Sequence, residues 1–355
     1  MKREDKVKNR KFLLLSTIYY LLSTILCGCA TIYPYATPYE IREAEEELKV
    51  KALKFKIEYL VRVNEVGFNL LKSLPSEDRR GEFVFSGLLI AEIDKYLKKL
   101  YNLSEDTGVV IIGMIKDSPA DSAGFLAGDI IEKVEGKNIR NVRDFVWILK
   151  RYKPKDSITL DVIRGREKDL SLTLKLGVKP VDVYFKMHDS QEVNAGVTEN
   201  LVVVTYGLMR FLKSDDELAV ILGHEFAHIT RGHLLKVKGT SLVSLILGIA
   251  LGVGIESIFP GAGDITTRII SSAFGARFSR EFEREADYFG LKYVYLAGYD
   301  IERGSEVWER FAVEVPSSLT RDFFSTHPTS GERLVRIKKA VEEIKSEEAQ
   351  IYKTK

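Results

Sequence analysis

Cysteine is nearly absent: the 355 residues hold two, Cys27 and Cys29, with one glycine between them. A fold stapled by a disulfide framework is excluded, and a chain of this length buries enough core to do without one. Histidine is also scarce, at five residues. No concentrated basic block occurs beyond the first eleven residues, and the formal net charge is +2. Nothing in that balance points to nucleic acid as a partner. No internal repeat is visible, which excludes a solenoid or array. What remains is an ordinary globular composition, 45% hydrophobic and 29% charged, in a chain long enough for more than one domain.

The scarce cysteines sit in an informative place. The opening "MKREDKVKNRK" carries Lys2, Arg3, Lys6, Lys8, Arg10 and Lys11, and an apolar run follows from Phe12 to Leu26. That run is shorter than the ~20 residues of a spanning helix and has the flanks of a secretory signal. Leu26-Cys27-Gly28-Cys29 resembles the lipobox of bacterial lipoproteins. The resemblance implies a signal peptide over 1–28, acylation of Cys29, and a tether over 29–38. The mature chain would be an extracytoplasmic, membrane-anchored lipoprotein. Ala30, where an aspartate would retain it, implies the outer membrane in a cell with two membranes. Stable anchoring needs more than one acyl chain. The other reading is an uncleaved signal anchor with incidental cysteines.

Beyond the tether, Ile41, Ala44, Leu48, Ala52, Phe55, Tyr59, Val63, Val66 and Leu70 recur at steps of three and four, which predicts a helix from about residue 39 to 74. "SLPSEDRRG" breaks it. Residues 80–178 then read as a small β-rich unit, since "TGVVIIGMI", "GDIIEKVEG" and "DSITLDVIRG" are β-branched runs bounded by turn residues. The stretch "GVVIIGMIKDSPADSAGFLAGDIIEKVEGKNIRNVRDFVWIL" resembles the PDZ modules of bacterial extracytoplasmic proteases. The resemblance implies a carboxylate-capturing loop at Ser86, Gly87, Leu88 and Leu89, and a groove helix over about Val142 to Lys150. Such a unit adds a peptide strand to a sheet edge and holds its C-terminal carboxylate on loop N–H groups. A PDZ-shaped spacer without ligand is the alternative.

From Val181 onward the pattern becomes short strands and then helices, with one helix carrying "DDELAVILGHEFAHITRGHLLKV". Later helices are expected around 266–297, 301–312 and 330–348. The stretch 242–259 has eighteen residues and a single charge, Glu256. Its length permits a short span or a hairpin dipping into a bilayer. Its glycines and flanking helices favour a buried or membrane-skimming helix pair.

Three of the five histidines fall in "HEFAHITRGH". On a helix, His224 and His228 lie one turn apart on one face and can present imidazole nitrogens to one ion. Glu225 is rotated about 100° from His224, beside the ion rather than on it. H-E-x-x-H thus has a zinc mechanism: two histidine ligands, a water position, and a glutamate that takes the proton. The bland reading is a polar helix with chance histidines. The extended metzincin pattern needs glycine at 231 and histidine at 234, but the chain has Arg231 and Leu234. His233, five after His228, points off the face of a continuous helix and reads as structural or surface. A carboxylate from a later helix is the remaining option for a third ligand.

"SREFEREAD", Ser279 to Asp287, carries a second resemblance. Together with H-E-x-x-H it resembles the gluzincin family of the CAAX prenyl endopeptidases and HtpX-type membrane proteases. The resemblance implies Glu283 as third metal ligand and Asp287 as the residue bonding a ligand histidine, with Glu281 and Glu285 as solvated charges. "STHPTSGERLVRI" resembles the family's late segment. It implies His327 as an oxyanion donor or provisional ligand, and Arg333 as a residue that positions substrate or braces that wall. A capped helix start explains the same residues. "VNAGVTEN" resembles the family's edge strand, so Asn194 and Ala195 are expected to pair with an extended substrate. "RVNEVGFNLL" fits the family's first helix.

The expected fold is therefore α+β. A mainly helical zincin-type peptidase domain with a small sheet (39–79 and 179–345, then a tail over 346–355) carries an inserted β-rich PDZ domain over 80–178. The expected function is a lipid-anchored zinc endopeptidase of misfolded envelope proteins. Its implied cofactor is Zn2+, and its partners are protein substrates, C-terminal peptides and a membrane, with no nucleic acid. Membrane-embedded relatives have several spans, so their prenyl-protein specificity does not transfer. The rival is a PDZ-bearing scaffold or chaperone with a latent or structural zinc site, His327 being its fourth ligand. A membrane-integral protease anchored through 242–259 is a third reading.

Overall fold

The computed structural model describes residues 36–165, 167–238, 273–274, 278–315 and 331–354. The signal segment, Cys29, the stretch 242–259 and His327 lie outside the described residues. Among the described residues, no helix is long and apolar enough to cross a membrane. The architecture is α+β.

Helix α1, Pro38–Lys72, buries Leu53, Ile57, Leu60, Val63, Val66, Leu70 and Leu71 along one face. It stops two residues before Leu74-Pro75, as a residue ahead of proline avoids the α region. A short 3-10 turn, Ser76–Asp78, then leads into the β-rich unit.

That unit comprises β1 (Phe83–Phe85), β2 (Leu88–Glu92), α2 (Lys95–Tyr101), β3 (Val109–Met114), α3 (Pro119–Ser122), β4 (Ile130–Val134), β5 (Lys137–Asn138), α4 (Val142–Leu149), β6 (Ser157–Arg164), β7 (Glu167–Lys175) and β8 (Gly177–Lys179). Its main sheet runs β2-β3-β4-β6-β7, with β5 paired to β4. β1 pairs antiparallel with β8 (Phe83 opposite Lys179) and brings the two ends of the unit together. Because strand side chains alternate, the sheet is buried on two sides. Val109, Ile111 and Ile131 join Phe145 and Ile148 of α4 in the unit's own core. Ala91, Val110, Ile112 and Ile130 join α1 in the larger core.

The rest comprises β9 (Tyr184–His188), β10 (Ala195–Val197), β11 (Leu201–Thr205), α5 (Tyr206–Phe211), α6 (Asp215–Thr230), α7 (His233–Lys238), α8 (Arg280–Leu296), α9 (Ile301–Glu314) and α10 (Gly331–Thr354). The sheet order is β10-β11-β9, with β11 parallel to β9 and antiparallel to β10. Phe185, Met187, Val202 and Val204 share the core that surrounds α6.

α6 is buried from Glu217 to His228, as expected of an interior helix rather than a surface one. Ser214 caps it by accepting from Glu217 N, and three acids occupy its first turn, where they complement the helix dipole. α8 begins at Arg280. Ser279 is extended and accepts from Phe282 N, so the serine starts the helix instead of lying within it.

α6 and α8 touch through two glycines. A Cβ on Gly290 would stand 2.8 Å from His224 N and 2.9 Å from Gly223 O. These are backbone atoms and cannot swing aside. Gly290→Ala is therefore expected to cost about 1–3 kcal/mol in a denaturant melt and to weaken divalent-ion binding by parting the two helices. An alanine variant with unchanged melting and ion binding would show that the contact can relax.

Candidate active site

α6 and α8 together build one cluster. His224 and His228 come from α6, and Glu283 comes from the first turn of α8. Nε2 of His224 lies 3.2 Å from Nε2 of His228. Glu283 reaches both, with Oε2 3.5 Å from His224 Nε2 and Oε1 3.6 Å from His228 Nε2. Metal–donor bonds of 2.0–2.1 Å in tetrahedral geometry put neighbouring donors about 3.4 Å apart. The three residues therefore fit a divalent ion, and one donor atom from each lies within 4.8 Å of the others. Glu225, directly after His224, is 0% exposed, and its charge acts on nearby Arg333.

Each imidazole is held from behind. Nδ1 of His224 lies 3.0 Å from Asp287 Oδ1, one turn after Glu283 on α8. Arg333 of α10 clamps that carboxylate, donating from Nε over 3.0 Å and from Nη2 over 2.7 Å. Its guanidinium lies 4.1 Å over the Trp308 ring, and the same indole meets His224 edge-on. Arg333 is 1% exposed. Of its two expected roles, the contacts are those of a brace behind the ligands rather than of a group facing substrate. Burial opposes the charged form of His224, but hydrogen bonds that it donates to Asp287 and Glu283 outweigh it and hold its pKa up at about 9. Burial likewise acts to raise the Asp287 carboxyl, yet Arg333 and His224 hold it below the ordinary carboxylate range.

The support of His228 keeps the structural half of the reading of His233 and corrects the surface half. His233 is neither at the surface nor turned away: it is 0% exposed, with Nδ1 3.0 Å from His228 Nδ1 and Nε2 3.1 Å from Glu285 Oε2. The helix was read as continuous, but it ends at Thr230. Gly232 takes a φ of +67°, and α7 restarts at His233. The Gly232 break swings the ring back against His228, and a glycine just past a helix end is the sequence sign of such a break. Burial opposes the charged form of His233 and holds its pKa below the ordinary imidazole value. With Nε2 of His228 turned to the cluster, its Nδ1–H donates to His233, whose Nε2–H donates to Glu285. Glu285 is thus not a solvated charge. It also accepts from Arg231 Nε over 2.6 Å, and Arg231 Nη1 lies 3.3 Å from Asp78 Oδ1. Rings complete the packing: Phe278 stacks on His228 at 3.8 Å and Phe282 on His233 at 4.4 Å.

The expected substrate strand is only partly available. β10 forms one edge of its sheet, and no other described strand pairs with it. Asn194 turns inward: its N–H donates to Thr205 Oγ1, and its carbonyl accepts from Thr205 N. Strand alternation then sends the backbone groups of Ala195 and Val197 to the edge away from β11. In the β-rich unit, the Ser86 and Gly87 carbonyls are bound by Ala120 N and Ile115 N, and Ser86 Oγ accepts from Leu88 N over 3.2 Å. Leu88 and Leu89 open β2.

His233→Phe keeps a ring against Phe282 but removes both hydrogen bonds. Divalent-ion affinity is expected to fall by about ten- to a hundredfold, as read by competition with a chromogenic chelator. Equal affinity in the variant and parent chains would show that His228 needs no such support.

Residues 168–341 match peptidase family M48, and residues 89–176 match the PDZ domain. Mitochondrial metalloendopeptidase OMA1 of Schizosaccharomyces pombe (strain 972 / ATCC 24843) is 32% identical over 155 residues, covering 42% of this chain and 44% of that protein. Metalloprotease YcaL of Escherichia coli (strain K12) is 29% identical over 160 residues, covering 44% of this chain and 61% of that protein. The chain thus spans about half the length of these relatives. Among solved structures, the HtrA3 PDZ domain bound to a phage-derived ligand aligns with a TM-score of 0.24 and 25% identity, over 27% of this chain and 88% of that one. The sequence that holds His224, His228 and Glu283 is therefore a peptidase family M48 domain, and a PDZ domain leads into it.

Proposed function

We propose that the chain is a zinc-dependent endopeptidase, lipid-anchored outside the cytoplasm, that cleaves misfolded proteins of the cell envelope. The observation that carries the reading is the convergence of His224, His228 and Glu283 beside the buried Glu225, within a family M48 domain. Two imidazole nitrogens and one carboxylate suit zinc and leave a position open for water. Zinc held there supplies Lewis acidity, lowering the pKa of water and polarising the scissile carbonyl.

The protein groups then have separate tasks. Glu225 accepts the proton of the attacking water and delivers it to the leaving amine. Asp287 and His233 fix which nitrogen of each histidine ligand is protonated, and Arg333 keeps Asp287 ionised. Ala195 and Val197 offer an extended substrate a sheet edge to lie against. The PDZ groove recruits C-terminal or exposed strands for cleavage. The anchor rests on the lipobox-like Leu26-Cys27-Gly28-Cys29, and the outer-membrane location rests on Ala30. The envelope substrates follow from that location.

Glu225→Gln tests the reading, because it removes the base and keeps the ligand set. Cleavage of unfolded casein by the zinc-loaded chain is expected to drop by about a hundredfold or more, while zinc content by atomic absorption stays at the parent value. Casein cleaved equally by both chains, or by neither, would overturn the proposal.

A further inference from the structure

β2 is the edge strand of the PDZ sheet and is paired with β3 on one side. Its side chains alternate between two surroundings. Leu88 and Ile90 pack with the PDZ core, whereas Leu89 and Ala91 pack with the core that contains α1. A cavity of about 350 Å³ runs along this edge and has walls on both sides. One wall is α4, through Phe145, Val146 and Leu149. The other is α1, through Leu60, Asn64 and Phe68.

We propose that a peptide strand added to β2 is read on both faces, by the PDZ groove and by helix α1. The proposal rests on the reading of that groove as a peptide site. A strand turns successive side chains to opposite faces. If the last residue points to α4, the penultimate one points to α1. Without α1 that residue would face solvent and be unrestricted.

The occupant that fits is a C-terminal segment with a free carboxylate and apolar side chains at its last two positions. Both walls are mostly apolar, so either side chain gains by burial there. Lys150 and Lys179 line the same space against one acid, Asp182, which is 2.8 Å from Lys179. The surplus positive charge suits a terminal carboxylate. α1 thus selects for the penultimate residue, and Asn64 is the half-buried polar residue on that wall.

The test uses the full chain bearing Glu225→Gln, so that the probe stays whole. Fluorescein-labelled decapeptides ending in Phe-Val, in Asp-Val, or in Phe-Val amide are titrated by fluorescence anisotropy. The Phe-Val acid is expected to bind, and both the amide and the Asp-Val peptide to bind about tenfold or more weakly, since each leaves a charge or a pocket unmatched. Adding Asn64→Lys is expected to recover Asp-Val binding by several-fold, about the gain of one new close ion pair. If Val146→Asp abolishes binding while neither the penultimate residue nor Asn64→Lys changes it, the groove alone reads the peptide. The proposal then falls and the groove reading stands. If the unsubstituted groove binds none of the three probes, both fall. The comparison of Phe-Val with Asp-Val needs no substitution in α1 and decides the question even if Asn64→Lys does not fold.

Discussion

The close approach of α6 and α8 at Gly223 and Gly290 sets the geometry of the site. His224 and His228 share one helix and would face one way in any fold that keeps α6. Glu283 belongs to a helix more than fifty residues later, and it reaches them because no side chain separates the two backbones. The contact also brings Asp287, one turn beyond Glu283, to the far nitrogen of His224. α9 and α10 close over this pair of helices with Trp308 and Arg333, both nearly inaccessible to solvent. Two close-packed helices and two lids exclude water from a set of ionisable groups, and those groups must then satisfy one another.

They do so through two chains of contacts. On one side His224, Asp287 and Arg333 form a compact ion-paired stack under Trp308. On the other, His228 leads through His233 and Glu285 to Arg231 and Asp78. Asp78 also accepts from the Tyr293 hydroxyl, 3.0 Å away, and Arg80 donates to the Thr230 carbonyl. Asp78 and Arg80 lie in the passage between α1 and the PDZ domain. The segment that launches the PDZ domain is therefore bonded to the groups that hold a metal-ligand histidine.

The PDZ domain is joined to the rest by packing as well as by chain. Along β2 and β3 the side of its sheet away from α4 packs against α1, through Leu89, Ala91, Val110 and Ile112. Phe68 of α1 stacks on Phe85 at 4.4 Å, next to the Ser86-Gly87 turn. A helix that serves the core around α6 thus also walls the cavity along β2.

The sequence alone determined what depends on local periodicity. His224 and His228, four apart with Glu225 after the first, and Glu283 and Asp287, also four apart, were legible as pairs on one helix face, because helix geometry fixes which neighbours share a face; that Glu283 and Asp287 belong with the histidines came from the family resemblance, and the PDZ strands from β-branched runs bounded by turn residues. What the tertiary structure decided depends on contacts between distant segments. Gly232 breaks the helix and turns His233 inward, so a residue read as facing away comes to rest on His228. Glu285, off the ligand face of α8, meets Arg231 and His233 only because α6 ends beside it. Arg333 could have faced substrate or braced the wall, and it took the second role once Asp287 and Trp308 were buried with it. Periodicity assigns faces within one element. Which faces meet, and therefore which charges must pair, is set by burial across the whole core.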